Sequence, residues 1–210
     1  MRWLIIDVAS APLPDAETYL EGTVKAPGNY KDPEKIAAYI AEAQAERLNM
    51  AALDLDLARI TGLGTLEAGD IAPNVHVGGT EDDELAMLTH AATMIKRADQ
   101  IITYSGHGFD LPLLMRRARY RGLAFPWINL DRYRSPHQDL CELLSDRDKS
   151  KRRSLQFYAR RLGWSDIHKA LSGAEEAQVP QSGRWAELEA SLMHDVMATH
   201  RLAQWWGLVS

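Results

Sequence analysis

The chain has a single cysteine, Cys141, among its 210 residues. One cysteine excludes an intramolecular disulfide framework and favours a reducing compartment, so the cytoplasm is the expected location. Cys141 lies in the apolar stretch 140–144, a pattern typical of a core position rather than of a reactive nucleophile. The sequence also lacks a signal-peptide pattern and any apolar run near the roughly 20 residues that span a bilayer. We therefore expect no membrane partner.

Internal repeats, low-complexity segments and heptads are also missing. The chain is 46% hydrophobic and 25% charged, which is typical of a globular protein, and its length predicts one domain over residues 1–210. The net charge of -5 hides a basic segment, because residues 116–161 carry 13 Lys/Arg against 5 Asp/Glu. A segment this biased in an acidic protein indicates a side that faces a polyanion. Its basic residues include Arg116, Arg117, Arg119, Arg121, Arg132, Arg134, Lys149, Lys151, Arg152 and Arg153.

Apolar periodicity and turn residues predict strands that alternate with helices. Strands are expected at 3–6, 59–65, 74–77, 101–104 and 124–130, and helices at 32–50, 80–97, 110–120, 154–162 and 185–206. Residues 139–144 form a further short element, and residues 174–183 have the composition of a loop. The order predicts an α/β fold: a mixed sheet flanked by helices, with a helical insertion, residues 15–56, between the first two strands.

Three aspartates stand out by their positions in these elements. Asp7 ends the first strand, Asp110 opens the helix after the fourth, and Asp195 lies in the last helix. By itself Asp110 has a simpler interpretation, since Asp is a favoured N-cap residue. Clustered carboxylates without a His or Cys group, however, are typical of a site for Mg²⁺ or Mn²⁺. Two such ions can activate a water and stabilise the leaving oxygen of a phosphodiester.

Other positions carry weaker signals. Gly62-x-Gly64 lies inside a strand and lacks the continuation of a dinucleotide-binding loop, so we interpret it as structural. His107, in a Ser-Gly-His-Gly turn, is a candidate contact for a substrate phosphate or a solvated turn residue. Phe109 is a candidate for stacking on a terminal base, or a core residue.

Three stretches of the chain together resemble a known family. Residues 5–12, 103–114 and 194–202 contain, in order, Ile-Ile-Asp-Val-Ala-Ser-Ala-Pro, a segment centred on Gly-Phe-Asp-Leu-Pro, and a helical segment beginning His-Asp-Val. Their order resembles the motifs of the DnaQ-like 3'-5' exonucleases of the ribonuclease H-like fold, closest to the branch related to the proofreading domain of family B polymerases.

The resemblance implies a metal-dependent 3'-5' exonuclease that hydrolyses terminal phosphodiesters of single-stranded DNA or RNA. Asp7, Asp110 and Asp195 would be the catalytic, metal-binding residues, holding one or, more in keeping with the family, two Mg²⁺ or Mn²⁺ ions. The substrate-binding positions implied by the motifs are Ser105, His107, Phe109 and Ser191.

Two positions depart from the family pattern. The first motif of the family has Glu two residues after its Asp, where this chain has Ala9, and the third has Tyr four residues before its Asp, where this chain has Ser191. Alternation along a strand places residue 9 on the same side as Asp7, so the missing carboxylate would face the site. Metal occupancy is therefore expected to be weakened. Natural divergence and a deliberate Glu-to-Ala change both account for Ala9, and the missing Tyr favours divergence.

Two other functions remain open. The first is a catalytically inactive module that retains the exonuclease fold and binds nucleic acid or assembles with other proteins. The second is a metal-dependent enzyme that acts on small nucleotides. The intact trio of Asp7, Asp110 and Asp195 favours retained chemistry over the inactive module.

Overall fold

The computed structural model describes residues 1–131 and 134–209. Their central feature is a mixed five-stranded sheet with the order β3-β2-β1-β4-β5. β1 pairs antiparallel with β2 and parallel with β4, and β4 pairs parallel with β5. The strands are β1 Trp3–Pro12, β2 Ala58–Glu67, β3 Asn74–Val77, β4 Gln100–Thr103 and β5 His137–Asp139.

Helices cover both faces of this sheet, as the α/β pattern predicts. Met87 and Leu88 of α3 and Leu111 and Leu114 of α4 pack on one face, and Val196 and Leu202 of α9 pack on the other with α6. The helices are α1 Ala16–Leu20, α2 Pro33–Asn49, α3 Glu81–Arg97, α4 Asp110–Tyr120, α5 Leu140–Leu144, α6 Leu155–Arg161, α7 Gly173–Glu176, α8 Val179–Ser182 and α9 Trp185–Trp206. α1, α2 and a 3₁₀ turn at Ala51–Leu53 make up most of the segment 15–56.

Capping residues that are recognisable in the sequence determine several of the helix ends. Thr80 and Asp83 form a reciprocal capping box at the start of α3, and the side chain of Asp32 accepts a hydrogen bond from the backbone of Glu34 at the start of α2. α9 ends at Gly207, whose φ of 80° is a left-handed conformation that glycine adopts without strain. These three predicted helices therefore have nearly the predicted bounds.

Two glycines of β2 let α9 lie directly on the sheet. A Cβ atom on Gly62 would come within 2.4 Å of Leu192 Cδ1, and one on Gly64 within 2.7 Å of Val196 Cγ2. A side chain at either position would force Leu192 or Val196 to shift, which supports the interpretation of Gly62-x-Gly64 as structural. The close contact sets the distance between α9, which carries Asp195, and the neighbouring strand β1, which carries Asp7.

Three predicted elements differ from the structure. β1 runs to Pro12 instead of ending at residue 6, because it pairs with β2 over its whole length, with a register shift between Ala9 and Ser10. Residues 124–130 do not form a strand; Ile128 instead buries its side chain in the core beside α4. Residues 174–183, expected as a loop, contain α8 and most of α7. Within the described ranges, no helix is both long and apolar enough to cross a membrane.

Candidate active site

The three predicted aspartates converge from three elements. Asp7 lies in the middle of β1, Asp110 is the first residue of α4, and Asp195 lies on the face of α9 that packs against the sheet. Asp110 and Asp195 are buried. Each aspartate lies close enough for its charge to act on the others, since Asp195 and Asp7 both raise the pKa of Asp110. The tertiary structure thus gathers residues that are almost the whole chain apart.

Burial and mutual repulsion make this cluster costly to ionise. Burial, followed by the charge of Asp195, raises the pKa of Asp7 to about 7, against the opposing effect of Lys169. Burial and then the charge of Asp7 raise the pKa of Asp110 well above its usual range. Such a group of carboxylates is stable when it is protonated or when a cation neutralises it.

The alternative interpretation of Asp110 as a helix cap is wrong. The N-cap residue of α4 is Phe109, and no side-chain hydrogen bond caps that end among the described residues. The backbone N–H of Leu111 is instead bonded to the carbonyl oxygen of Gly106, 3.1 Å away. The carboxyl group of Asp110 is therefore not used by its own helix.

Lys169 is the cation of this centre. Its Nζ donates to Asp195 Oδ2 at 2.7 Å and lies 3.1 Å from Glu176 Oε1. Burial alone would lower the pKa of Lys169, but the charges of Asp195 and Glu176 outweigh it, so the pKa is raised and the ammonium stays charged. Sequence reasoning missed both Lys169 and Glu176, since they lie in a stretch without periodicity or motif spacing. No local signal in the sequence would have found them.

Ser191 occupies the position where the family pattern has Tyr. Its side chain is fully buried against α7, and its Oγ donates to Glu176 Oε1 at 2.8 Å. The hydroxyl thus orients a carboxylate of the protein. Whether it also touches a substrate, as the sequence predicts, remains a prediction.

Ala9 lies in a small apolar cluster. Its methyl group is buried in a cluster with Leu171, Val179, Leu188 and Leu192. Side chains from the segment around α7 and α8 and from α9 therefore surround the position at which the family has Glu. This packing leaves no polar partner for a carboxylate at residue 9 within that cluster.

The turn after β4 is held by Asp139. Its carboxylate accepts hydrogen bonds from the backbone N–H groups of Ser105 and His107, at 2.9 and 3.0 Å. Ser105 has a φ of 67°, a left-handed conformation unusual for a residue other than glycine. The turn positions the start of α4 so that Asp110 lies near Asp7. Asp139 is a structural organiser that the sequence did not reveal.

The other predicted substrate contacts have different surroundings. His107 is mostly enclosed: its Nε2 donates to the carbonyl oxygen of Leu130 at 2.8 Å, and its Nδ1 lies 3.5 Å from Glu142 Oε1. Phe109 is partly buried and packs against the core on the α3 side, whereas Ser105 is exposed. The imidazole of His107 is therefore engaged within the protein. Contact of these three residues with a substrate remains a prediction.

The basic segment is divided between internal pairs and open surface. Arg117 is buried and forms a bidentate pair with Glu84, at 2.8 Å for each bond, while Arg116, Arg121 and Arg152 pair with other acids. Arg132 lies outside the described residues. Only part of the predicted basic charge is therefore available to a polyanion.

A cleft of about 600 Å³ opens beside Lys169. Arg160 and Gln156 of α6 line it, together with Trp164 and His168. It combines an aromatic ring with cationic side chains, the two features that single-stranded nucleic acid uses for stacking and phosphate contact.

The donor set agrees in chemistry with a hard divalent cation. Asp7, Asp110 and Asp195 offer only carboxylate oxygens, the ligands that Mg²⁺ and Mn²⁺ prefer. Among the described residues, no three His, Cys, Asp or Glu side chains are already arranged as a metal-binding group. The Lys169 ammonium instead supplies positive charge where the carboxylates need it. The residues fit such an ion by type, and Lys169 stands in for part of its charge.

Comparisons with known proteins give the family. No curated protein sequence matches the chain. In fold it is similar to the family B DNA polymerase of the hyperthermophilic archaeon Pyrobaculum calidifontis, with a TM-score of 0.64 and 15% identity over 97% of this chain and 24% of the polymerase. The chain thus spans about a quarter of that protein's length. The RNase_H_2 model of the RNase_H superfamily matches residues 53–207. The predicted α/β ribonuclease H-like fold is confirmed, and the chain belongs to the RNase_H superfamily.

Proposed function

We propose that this protein is a metal-dependent 3'-5' exonuclease acting on single-stranded DNA or RNA. The observation that carries the proposal is the convergence of the partly buried Asp7 with the buried Asp110 and Asp195 in one mutually repelling centre. A protein has little reason to bring three such groups together, two of them buried, unless a cation or a proton transfer uses them. Membership in a superfamily of nucleases and the basic, aromatic cleft beside the centre support a nucleic-acid substrate.

Each residue of the centre has a role that follows from its position. Asp7, Asp110 and Asp195 would hold one or two Mg²⁺ or Mn²⁺ ions. When bound, such ions supply a nucleophilic water near neutral pH and stabilise the charge on the leaving oxygen. Lys169 limits the repulsion between Asp195 and its neighbours. Arg160 and Trp164 would contact the phosphates and bases of the bound strand.

A second candidate function is a binding module that does not cut. The pairing of Lys169 with Asp195 favours it, because this ion pair neutralises part of the charge of the centre without a metal ion, and Ala9 offers no ligand to one. Such a module would keep the cleft and bind single strands with little need for divalent cations.

The two candidates differ in a direct assay. A single strand of DNA or RNA, labelled at its 5' end, is incubated with Mn²⁺ and either the wild-type protein or an Asp110→Asn variant. The exonuclease produces a ladder that shortens from the 3' end, and the variant, which loses a charged ligand, slows it by several powers of ten. Binding of the strand without a ladder in the wild type would support the module and overturn the exonuclease.

A circular single strand serves as the second substrate. An exonuclease needs a free end and leaves the circle intact. Cleavage of the circle would show an endonuclease, and activity equal in the wild type and the Asp110→Asn variant would point to a contaminating nuclease.

A further inference from the structure

Glu176 is the fourth acidic side chain near the aspartate centre. It is the last residue of α7, a short helix that packs against β1. Its side chain is 15% exposed, and its Oε1 is contacted by both Lys169 and Ser191. Through Lys169 it shares one ammonium group with Asp195. Glu176 therefore lies in the centre although the chain between it and Asp7 is long.

The charge of Glu176 acts on the carboxyl group of Asp7. It is one of the groups that raise the pKa of that carboxyl, after burial and Asp195. The Lys169 ammonium contacts both Glu176 and Asp195, at 3.1 and 2.7 Å, so these two carboxylates lie next to each other. Asp110 is influenced instead by Asp7, Asp139, Lys169 and Asp195.

Both departures from the family pattern are explained by this side chain. Ala9 is too short to reach the centre, and its methyl group packs against Leu171 and Val179, which flank α7 in the sequence. Ser191 is small enough to leave room for Glu176 and supplies it with a hydrogen bond. Both positions therefore adjoin the segment of the chain that carries Glu176.

α7 is anchored despite having only four residues. Ser172 and Glu175 form a reciprocal capping box at its start, and Arg184 binds Glu175 at 3.2 Å. Leu171 before it and Val179 after it are fully buried. Glu176 is therefore held at a defined place, which a metal ligand requires.

We infer that Glu176 supplies the fourth carboxylate of the centre, from α7, in place of the glutamate that the family carries at the position of Ala9. The inference rests on the proposed metal-dependent function. Ser191 is then a positioning residue, which orients Glu176 through its hydroxyl. Lys169 holds Glu176 and Asp195 together, and a divalent cation would compete with it for the same oxygens.

Mn²⁺ affinity tests this inference without relying on hydrolysis. Metal-free full-length protein is titrated with Mn²⁺ by isothermal titration calorimetry, and bound Mn²⁺ is followed by electron paramagnetic resonance. A Glu176→Gln variant keeps the size and hydrogen bonding of the side chain but loses its charge. We expect affinity to fall at least about tenfold, since even outer-shell partners of metal ligands are worth ~10–100-fold.

Two further variants separate a ligand from a structural residue. Glu189→Gln removes an exposed charge from α9 and should leave Mn²⁺ affinity unchanged. Ser191→Ala should weaken it less than Glu176→Gln does, because the carboxylate remains but is less well oriented. Thermal unfolding of each metal-free variant establishes that it is folded.

The outcomes distinguish this inference from the proposed function. Unchanged Mn²⁺ affinity in folded Glu176→Gln, with affinity lost in Asp7→Asn, overturns the role of Glu176 and leaves the exonuclease intact. Affinity lost in Glu176→Gln, with no hydrolysis by the wild type, supports Glu176 as a ligand and overturns the exonuclease. Absence of Mn²⁺ binding to the wild type overturns both.

Discussion

At the scale of single residues, burial decides what a side chain can do. Asp7 and Asp139 are both acids within strands, yet Asp139 accepts several backbone N–H bonds whereas Asp7 lies near other carboxylates. Asp139 therefore organises a turn, and Asp7 is available for a cation. His137 and Ala9 show the same dependence on surroundings, and each leads to a test.

Acid should destabilise the protein through His137. Its imidazole is buried beside the Thr103 hydroxyl, 2.8 Å from Nε2, and burial lowers its pKa to about 4 from 6.5. The neighbouring Asp139 opposes this shift and His107 adds to it. The unfolded chain thus binds a proton between these values while the folded chain does not, so stability present above pH 6.5 is lost as the pH falls toward 4. The loss is on the order of 3 kcal/mol.

Denaturant unfolding over this pH range measures the effect. The difference in unfolding free energy between wild type and a His137→Gln variant should be constant above the pKa of free histidine and should shift in favour of the variant below it. His168→Gln, at an exposed histidine, is the control and should show no such trend. A parallel pH dependence in wild type and His137→Gln would contradict the prediction.

Placing the glutamate of the family at residue 9 should not raise the activity of the protein. Ala9→Glu places a carboxylate among Leu171, Val179, Leu188 and Leu192, where it has no partner. We expect a loss of about 2 kcal/mol or more in unfolding free energy and no gain in hydrolysis. Ala68→Glu, at an exposed position, is the matched control. Faster hydrolysis at unchanged stability would mean that the centre lacked a carboxylate, against the role of Glu176.

At the scale of elements, the close approach of α9 to β2 builds the site. Asp195 can face Asp7 only because Gly62 and Gly64 present no side chains to the helix. The capping of α3 and the anchoring of α7 similarly place side chains by fixing helix ends. Element geometry, more than any one contact, determines which residues meet.

A side chain at residue 64 should therefore push α9 away. Gly64→Ala brings a methyl group against Val196, a stiff β-branched residue, and should cost roughly 1–3 kcal/mol of stability. Thermal or denaturant unfolding measures the loss. Adding Val196→Ala should recover part of it, so that the two changes together cost less than their sum. Gly28→Ala, where a Cβ meets nothing within 4 Å, is the control; strictly additive costs would argue against the contact.

At the scale of the whole molecule, basic side chains lie on both faces of the sheet, but the cleft lies on one of them. The cleft with Arg160 and Lys169 adjoins the α6 and α9 face, while α3 covers the other face and carries the exposed Lys96. Several arginines of the basic segment form ion pairs within the protein, such as Arg117 with Glu84. The polyanion-facing side should therefore be the cleft rather than the whole segment.

Charge reversal on each face tests this assignment. Arg160→Glu should weaken the binding of a fluorescent single strand several-fold and should reduce the dependence of affinity on salt, because a phosphate contact is lost. Lys96→Glu changes the net charge equally but lies on the opposite face, so binding should change little. Equal weakening by both variants would show that net charge alone, and not the cleft, governs binding.

The sequence by itself determined the layout of this protein. Hydrophobic periodicity, the caps at Thr80 and Asp32 and the stop at Gly207 are local signals, and they sufficed for the main helices and for the order of an α/β fold. The three aspartates were singled out from the same local patterns, although only Asp110 lies at the end of its element, whereas Asp7 lies in the middle of β1 and Asp195 within α9. The strand expected at 124–130 does not form; Phe125, Ile128 and Leu130 pack against the core beside α4 without strand pairing.

Only the tertiary structure decided how the centre is completed. Lys169, Glu176 and Asp139 carry no spacing that marks them, and their roles come from contacts with residues distant in the chain. The departures at Ala9 and Ser191 look like losses in the sequence, yet α7 packs against β1 and brings the Glu176 carboxylate into hydrogen-bond contact with Ser191. The physical reason is that local propensity depends on neighbours along the chain, whereas electrostatic interactions and packing depend on neighbours in space.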